Sequence, residues 1–224
     1  MWHAFDKQDT YLAELTDHIT TLLQKTVAKQ GCAGLAVSGG KSPIPLFQRL
    51  SQTDIPWEKI HITLVDERFV APTNPDSNEY LVRCHLLTNH AGKARFTGLV
   101  SDPTDLEKCV KQANSQTHDI TLAILGMGDD GHTASLFPDA PQLAQALDTS
   151  RPERYLHVSP PAAPYERISM TLAAIQHSRH LILAIAGQHK HDIFQQAAQH
   201  TTPALPVSYL IAQTGAPLDV YWHT

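Results

Sequence analysis

Leu35-Ala36-Val37-Ser38-Gly39-Gly40-Lys41-Ser42-Pro43 reads as the first half of a βαβ unit. Three apolar residues make a short strand, two glycines make a turn that no side chain obstructs, and Pro43 sits where a starting helix needs no N–H. The rhythm of apolar run and turn then recurs. Ile60 to Val65 ends in Asp66-Glu67-Arg68, Ile120 to Leu125 in Gly126-Met127-Gly128, and Tyr155 to Val158 in Ser159-Pro160-Pro161. Leu181 to Ala186 ends in Gly187, and Leu218 to Trp222 is the last run. Between these runs the pattern predicts helices over about 44–51, 77–88, 103–115, 140–147, 170–177 and 188–199. Upstream, Leu12, Leu15, Ile19, Leu22, Leu23 and Val27 repeat at helical spacing, and Gly31 stands where a C-terminal cap belongs. Strands alternating with helices imply an α/β fold of the doubly wound, Rossmann-like kind, with a mostly parallel sheet and helices on both faces. No Gly/Ser- or Pro-rich linker interrupts the pattern, so residues 1–224 are expected to form a single domain.

Composition narrows the function. Hydrophobic residues are 42 % of the chain and charged residues only 17 %, enough apolar material for a large core and no signature of disorder. Lys and Arg number 17 against 22 Asp and Glu, a net charge of −5, which gives no electrostatic reason to seek nucleic acid. The longest unbroken apolar run, Leu181 to Ala186, falls far short of the ~20 residues of a membrane span. Met1-Trp2-His3-Ala4-Phe5-Asp6 lacks the charged-then-apolar layout of a signal peptide. Cys32, Cys84 and Cys109 are odd in number and form no C-x-x-C, which argues against a disulfide scaffold and a cysteine zinc site. A cytoplasmic location is expected.

In doubly wound sheets, ligands bind beyond the carboxyl ends of the strands, and the unusual chemistry of this chain falls at those ends. Ser38-Gly39-Gly40-Lys41-Ser42-Pro43 offers free backbone N–H groups and a hydroxyl to an anion. Gly40-Lys41-Ser42 matches the end of a nucleotide P-loop, but that motif needs glycine where Leu35 stands. Asp66-Glu67-Arg68 projects charges from a strand end; its plainer role is a surface ion pair worth about 0–1 kcal/mol. Residues 71–78 make a loop able to fold over a site and to cap the next helix through Asp76 or Ser77. Gly126-Met127-Gly128-Asp129-Asp130-Gly131 fits the dinucleotide fingerprint G-x-G-x-x-G. Two carboxylates in the loop would repel a pyrophosphate, however, and Pro138 interrupts the helix that should follow. The glycines instead allow a bent loop that presents Asp130 beside His132, a side chain suited to proton transfer near neutrality. His3, His157, His177, His180, His189, His191 and His200 lack such a setting, and no cluster has metal-ligand spacing. Arg167 and Lys190 each read as solvated cations alone; with the glycine loop they would complete a phosphate site.

Taken in order, these segments resemble the family of 6-phosphogluconolactonases, whose fold is shared with the glucosamine-6-phosphate deaminases/isomerases. The resemblance runs through residues 37–43, 64–70, 76–78, 126–138, 167–169 and 187–190, with 126–138 the most specific. Ala71 stands between Val70 and Pro72, where the family has Pro directly. The deaminases carry a catalytic carboxylate where this chain has Phe137, and they lack the arginine that stands here at 68. The resemblance thus implies hydrolysis of 6-phospho-D-glucono-1,5-lactone to 6-phosphogluconate in the oxidative pentose phosphate pathway. Gly39, Gly40, Ser42, Arg167 and Lys190 would anchor the phosphate, and Asn78 would contact substrate. His132 would act as general base, aimed by Asp130 or by Asp66, with Arg68 or loop N–H groups stabilising the oxyanion. It implies no cofactor and no metal, a small phosphosugar lactone as partner, neither nucleic acid nor membrane, and a monomer or at most a weak dimer. The alternatives are the deaminase/isomerase, a P-loop NTPase and a non-catalytic sugar-phosphate-binding protein.

Overall fold

The structure, a computed structural model, describes residues 1–116 and 118–224. Its strands are β1 (Trp2–Phe5), β2 (Ala33–Val37), β3 (Ile60–Leu64), β4 (Asp66–Arg68), β5 (Arg95–Thr97), β6 (Leu122–Leu125), β7 (Tyr155–Val158), β8 (Arg167–Met170), β9 (His180–Ala186) and β10 (Leu218–His223). The helices are α1 (Gln8–Gln30), α2 (Ile44–Ser51), α3 (Asn78–His85), α4 (Leu106–Asn114), α5 (Leu143–Leu147), α6 (Leu172–Gln176), α7 (Gln188–Ala197) and α8 (Val207–Ala212). Among the described residues no helix is long and apolar enough to cross a membrane.

Seven strands form a parallel sheet in the order β1-β10-β9-β6-β2-β3-β5. From the centre the chain winds outward twice, from β2 through β3 to β5 and from β6 through β9 to β10. Every residue of β2 and β6 is buried, as expected of strands covered on both faces. The long helix α1 turns Tyr11, Leu15, Ile19, Leu23 and Val27 inward at helical spacing. Leu15, Ile19 and Leu23 have no exposure, and burial of each stabilises the fold by about 1.5–3 kcal/mol. The backbone N–H of Gly31 then closes on Val27 O, where the sequence places the cap.

The expected sheet needs one correction. Tyr155–Val158 does not extend the parallel sheet; with Arg167–Met170 and with Asp66–Arg68, where the sequence predicts only a charged turn, it forms a separate antiparallel one in the order β4-β8-β7. An apolar run of four residues carries no record of its partner's direction, so the sequence pattern could not separate the two sheets. The small sheet hangs on the end of β3: Met170 N donates to Val65 O (2.8 Å) and Tyr155 Oη to Leu64 O (2.9 Å). The sequence pattern also passes over β1, β5, β8 and α8. β5 is three residues long, β1 is an edge strand without a fully buried residue, and β8 is a polar-apolar mixture that abuts a helix.

His61 on β3 meets Thr97 Oγ1 through Nε2 (2.8 Å) and stacks on His118, with ring centroids 3.8 Å apart. Burial, then the nearby charges of His118 and Arg95, bring its pKa down to about 4. The unfolded chain takes up this proton near the ordinary histidine value of about 6.5, so the site's stabilisation is full above that pH and is lost as pH falls toward 4. The melting temperature is therefore expected to fall less between pH 7 and pH 4.5 in His61→Gln than in the parent, as measured by calorimetry. Equal falls would remove His61 from the acid response.

Candidate functional site

The doubly wound order reverses between β2 and β6, and a cavity of about 310 Å³ opens beyond their carboxyl ends. It is lined by Ser38, Gly39, Gly40 and Ser42 after β2, by Gly126, Met127, Gly128 and His132 after β6, and by Lys190 at the start of α7. Asp66, Arg68 and Asn78 complete the wall. A second cavity of similar volume lies before the amino ends of β6, β7 and β9. Its cations are already engaged: Arg151 pairs with Glu153, and Arg154 donates to the carbonyls of Gln116 and His118.

After β2, Ser38 N and Oγ both donate to Ile124 O, which fixes the loop's departure from the sheet. Among the described residues, no acceptor of the chain takes the backbone N–H groups of Gly39, Gly40, Lys41 or Ser42. Four unpaired donors at the threshold of α2 make an anion-binding concavity. A side chain at position 39 would collide with the Asn78 amide, so glycine is required there by packing rather than by turn geometry.

After β6, the loop is closed by Gly128 N to His132 O (2.8 Å), Gly131 N to Gly128 O (3.1 Å) and Thr133 Oγ1 to Gly126 O (2.8 Å). Asp130 Oδ1 accepts from His132 Nδ1 at 2.5 Å and from His132 N at 3.1 Å. Burial raises the Asp130 carboxyl, but the hydrogen bonds and charge of His132 outweigh it and hold it below the usual carboxylate range. An Nδ1–H held by a carboxylate leaves Nε2 with its lone pair free. Phe137 lies against the imidazole with ring centroids 4.3 Å apart and planes tilted by 36°, and a side chain on Gly128 would run into both His132 and Asp130.

Asp66 is bonded elsewhere: its Oδ2 accepts from Ser135 Oγ (2.5 Å). Of the two partners left open by the sequence, Asp130 is the one bonded to His132. Arg68 Nη1 donates to Asp76 O (2.7 Å) and Asn78 Oδ1 (3.1 Å), while Asn78 Nδ2 donates to Asp66 O (2.8 Å). Lys190 reaches across from α7 to donate to Met127 O, with Asp129 3.7 Å away. A cation in the first turn of a helix opposes the macrodipole, a placement that makes sense when an anion is to be met there.

Arg167 is where the structure departs from the expected site. It does not line the cavity, and only 5 % of it is exposed. Its Nη1 donates to the carbonyls of Pro164 (2.6 Å) and Tyr165 (2.8 Å), and burial pulls its pKa below the usual guanidinium range. The cause is its position on β8, directly opposite Arg68, where two free guanidinium groups on one face would repel. Ser135, the partner of Asp66, lies inside the 126–138 motif. Gln8, Tyr11 and His223 also border the cavity, but they come from α1 and β10, where no motif marks them. Among the described residues, no group of three or more His, Cys, Asp or Glu gathers to hold a metal ion.

Comparison with known proteins places this geometry in context. The family model described as glucosamine-6-phosphate isomerases/6-phosphogluconolactonase matches residues 6–222. A 6-phosphogluconolactonase of Neisseria meningitidis serogroup B is 40 % identical, over 99 % of this chain and 98 % of its own. The crystal structure of a 6-phosphogluconolactonase from Shewanella baltica OS155 superposes with a TM-score of 0.94 at 35 % identity, covering 100 % of this chain and 97 % of that one. A monomeric glucosamine-6-phosphate deaminase shares the fold alone, with a TM-score of 0.78 at 16 % identity over 98 % of this chain and 96 % of its own. With its match running nearly end to end, the chain belongs to the glucosamine-6-phosphate isomerase/6-phosphogluconolactonase family.

Proposed function

We propose that this chain is a 6-phosphogluconolactonase, which hydrolyses 6-phospho-D-glucono-1,5-lactone to 6-phosphogluconate in the oxidative pentose phosphate pathway. The observation that carries the reading is the Asp130–His132 pair at the edge of a cavity whose other end is a row of unpaired N–H groups. One end suits a phosphate and the other a proton transfer.

In this reading the backbone N–H groups of Gly39, Gly40 and Ser42 hold the phosphate together with the ammonium of Lys190. Asn78 and Asp66 contact the sugar hydroxyls. With its Nδ1–H given to Asp130, His132 takes a proton from water at Nε2 as the water oxygen bonds to the lactone carbonyl carbon. Arg68 meets the negative charge that gathers on the carbonyl oxygen. The tetrahedral intermediate collapses by breaking the bond from that carbon to the ring oxygen, which receives the proton held on His132. The carboxylic acid so formed loses its own proton to solvent. Arg167 enters no step; it supports Phe137 and the 164–166 turn from behind.

The ring of Phe137 lies against the imidazole at the position where the resemblance gives the deaminases a carboxylate. A second proton-handling group is therefore missing from the face where amine release would need it.

His132→Ala is expected to lower kcat by about 10²–10⁴-fold, the usual contribution of a positioned base, with KM changed only a few-fold. Lys190→Ala is expected to raise KM by roughly 10–150-fold, the equivalent of about 1.5–3 kcal/mol for a lost charged hydrogen bond. Both follow from lactone hydrolysis at fixed pH with spontaneous opening subtracted. A parent-like kcat in the first variant removes His132 from the mechanism, and a parent-like KM in the second displaces the phosphate site. Release of ammonia from glucosamine 6-phosphate would overturn the lactonase reading itself.

A further inference from the structure

We propose that Glu67 is a positioning residue of this site, its buried carboxylate locking the start of α3 to β4 so that Arg68 and Asn78 stand in the cavity. The inference rests on the role given above to Arg68. Glu67 is only 1 % exposed and does not line the cavity. Its Oε1 accepts from Arg68 N (2.7 Å) and Asn78 N (2.7 Å), and its Oε2 from Ser77 Oγ (2.9 Å) and Glu79 N (2.7 Å). One carboxylate thus grips both segments that carry the cavity's polar wall, and it does so through the backbone N–H groups of Arg68 and Asn78 themselves.

A cap alone would not require this. Ser77 Oγ already accepts from Tyr80 N and serves as the N-cap of α3. Nor is Glu67 half of an ion pair: among the described residues no Lys, Arg or His lies within salt-bridge distance of it, and Arg83 pairs with Glu79 instead. A buried carboxylate met only by neutral donors is an expensive way to join a strand to a helix. Burial pushes its pKa up to about 7, against the pull of the donors. Three of those donors are backbone N–H groups that cannot turn round to accept, so the fit demands an acceptor on both oxygens.

The grip reaches the chemistry through Arg68. Its Nη1 donates to Asn78 Oδ1, so the helix fixed by Glu67 aims the guanidinium.

Glu67→Gln tests this, because the amide keeps the shape but sets N–H groups against backbone N–H. Folding is checked by circular dichroism and the melting curve. The expected result is a folded protein whose kcat for lactone hydrolysis falls tenfold or more while KM stays within about threefold, since the phosphate anchors lie elsewhere. In an Arg68→Ala background the same substitution is expected to cost less than threefold, because the group it positions is gone. Ser77→Ala removes one donor without creating a repulsion. It should lower kcat two- to fivefold with the same dependence on Arg68, and it decides the matter if Glu67→Gln does not fold. Folded variants with parent kcat, or equal losses with and without Arg68, would overturn the proposal. If Arg68→Ala alone keeps the parent kcat, the oxyanion role fails and this inference falls with it. An impaired Arg68→Ala beside a parent-like Glu67→Gln overturns only the positioning role.

Discussion

The pairing of β2 with β6, Val37 beside Ile124, governs everything at the active end of the molecule. These two strands are sequence-distant, yet they are adjacent and parallel, so both release their loops at the same edge of the sheet. The bond from Ser38 N to Ile124 O continues the ladder one residue beyond β2 and sets the height at which the glycine loop leaves. A shift of one residue in this register would turn every side chain of β2 to the opposite face and separate the two loops. Because both strands are buried throughout, such a slip would expose no polar alternative and gain nothing. The hydrophobic core therefore fixes the distance between the glycine loop after β2 and the Asp130–His132 loop after β6.

An acidic protein that binds an acidic substrate must concentrate positive potential locally. Here much of it comes from neutral groups: the backbone N–H row from Gly39 to Ser42 carries partial charge without adding to the net charge of −5. Formal cations are few and tethered. Lys190 is bound to Met127 O, and Arg68 to Asp76 O and Asn78 Oδ1, so neither has to be ordered from a free rotamer when an anion arrives. The acidic groups are kept occupied too, Asp130 by His132 and one oxygen of Asp66 by Ser135. Attraction is thus held in place in advance, which lessens the entropy lost on binding.

Much of this was legible in the sequence, for a physical reason. Glycines at strand ends and a His beside Asp are local signals, and Gly39, Gly128, Asp130 and His132 stand where such signals place them. Pairings between distant segments leave no such mark. The three-stranded sheet, the bond from Asp66 to Ser135 and the fourfold grip of Glu67 each join residues far apart in sequence or hidden behind a motif's conspicuous members. Glu67 belongs to a charged triplet in the sequence, yet unlike its neighbours it does not line the cavity. In a strand, alternate residues face opposite sides, so Asp66 and Arg68 share one face and Glu67 takes the other.

Arg167 shows how a motif can mark a residue without fixing where its side chain goes. On sequence it is a cation close to a phosphate site; in the fold it is opposite Arg68, and two guanidinium groups cannot both occupy that face unpaired. Arg68 takes the cavity, and Arg167 is turned onto the carbonyls of Pro164 and Tyr165, its carbon 5.9 Å from the centre of the Phe137 ring. The same ring lies against the imidazole of His132, with centroids 4.3 Å apart. The Phe137 ring thus neighbours both the guanidinium and the imidazole. If His132 is the base proposed above, a cation touching it would disfavour the imidazolium; the Arg167 Nη1 group is engaged by backbone carbonyls instead.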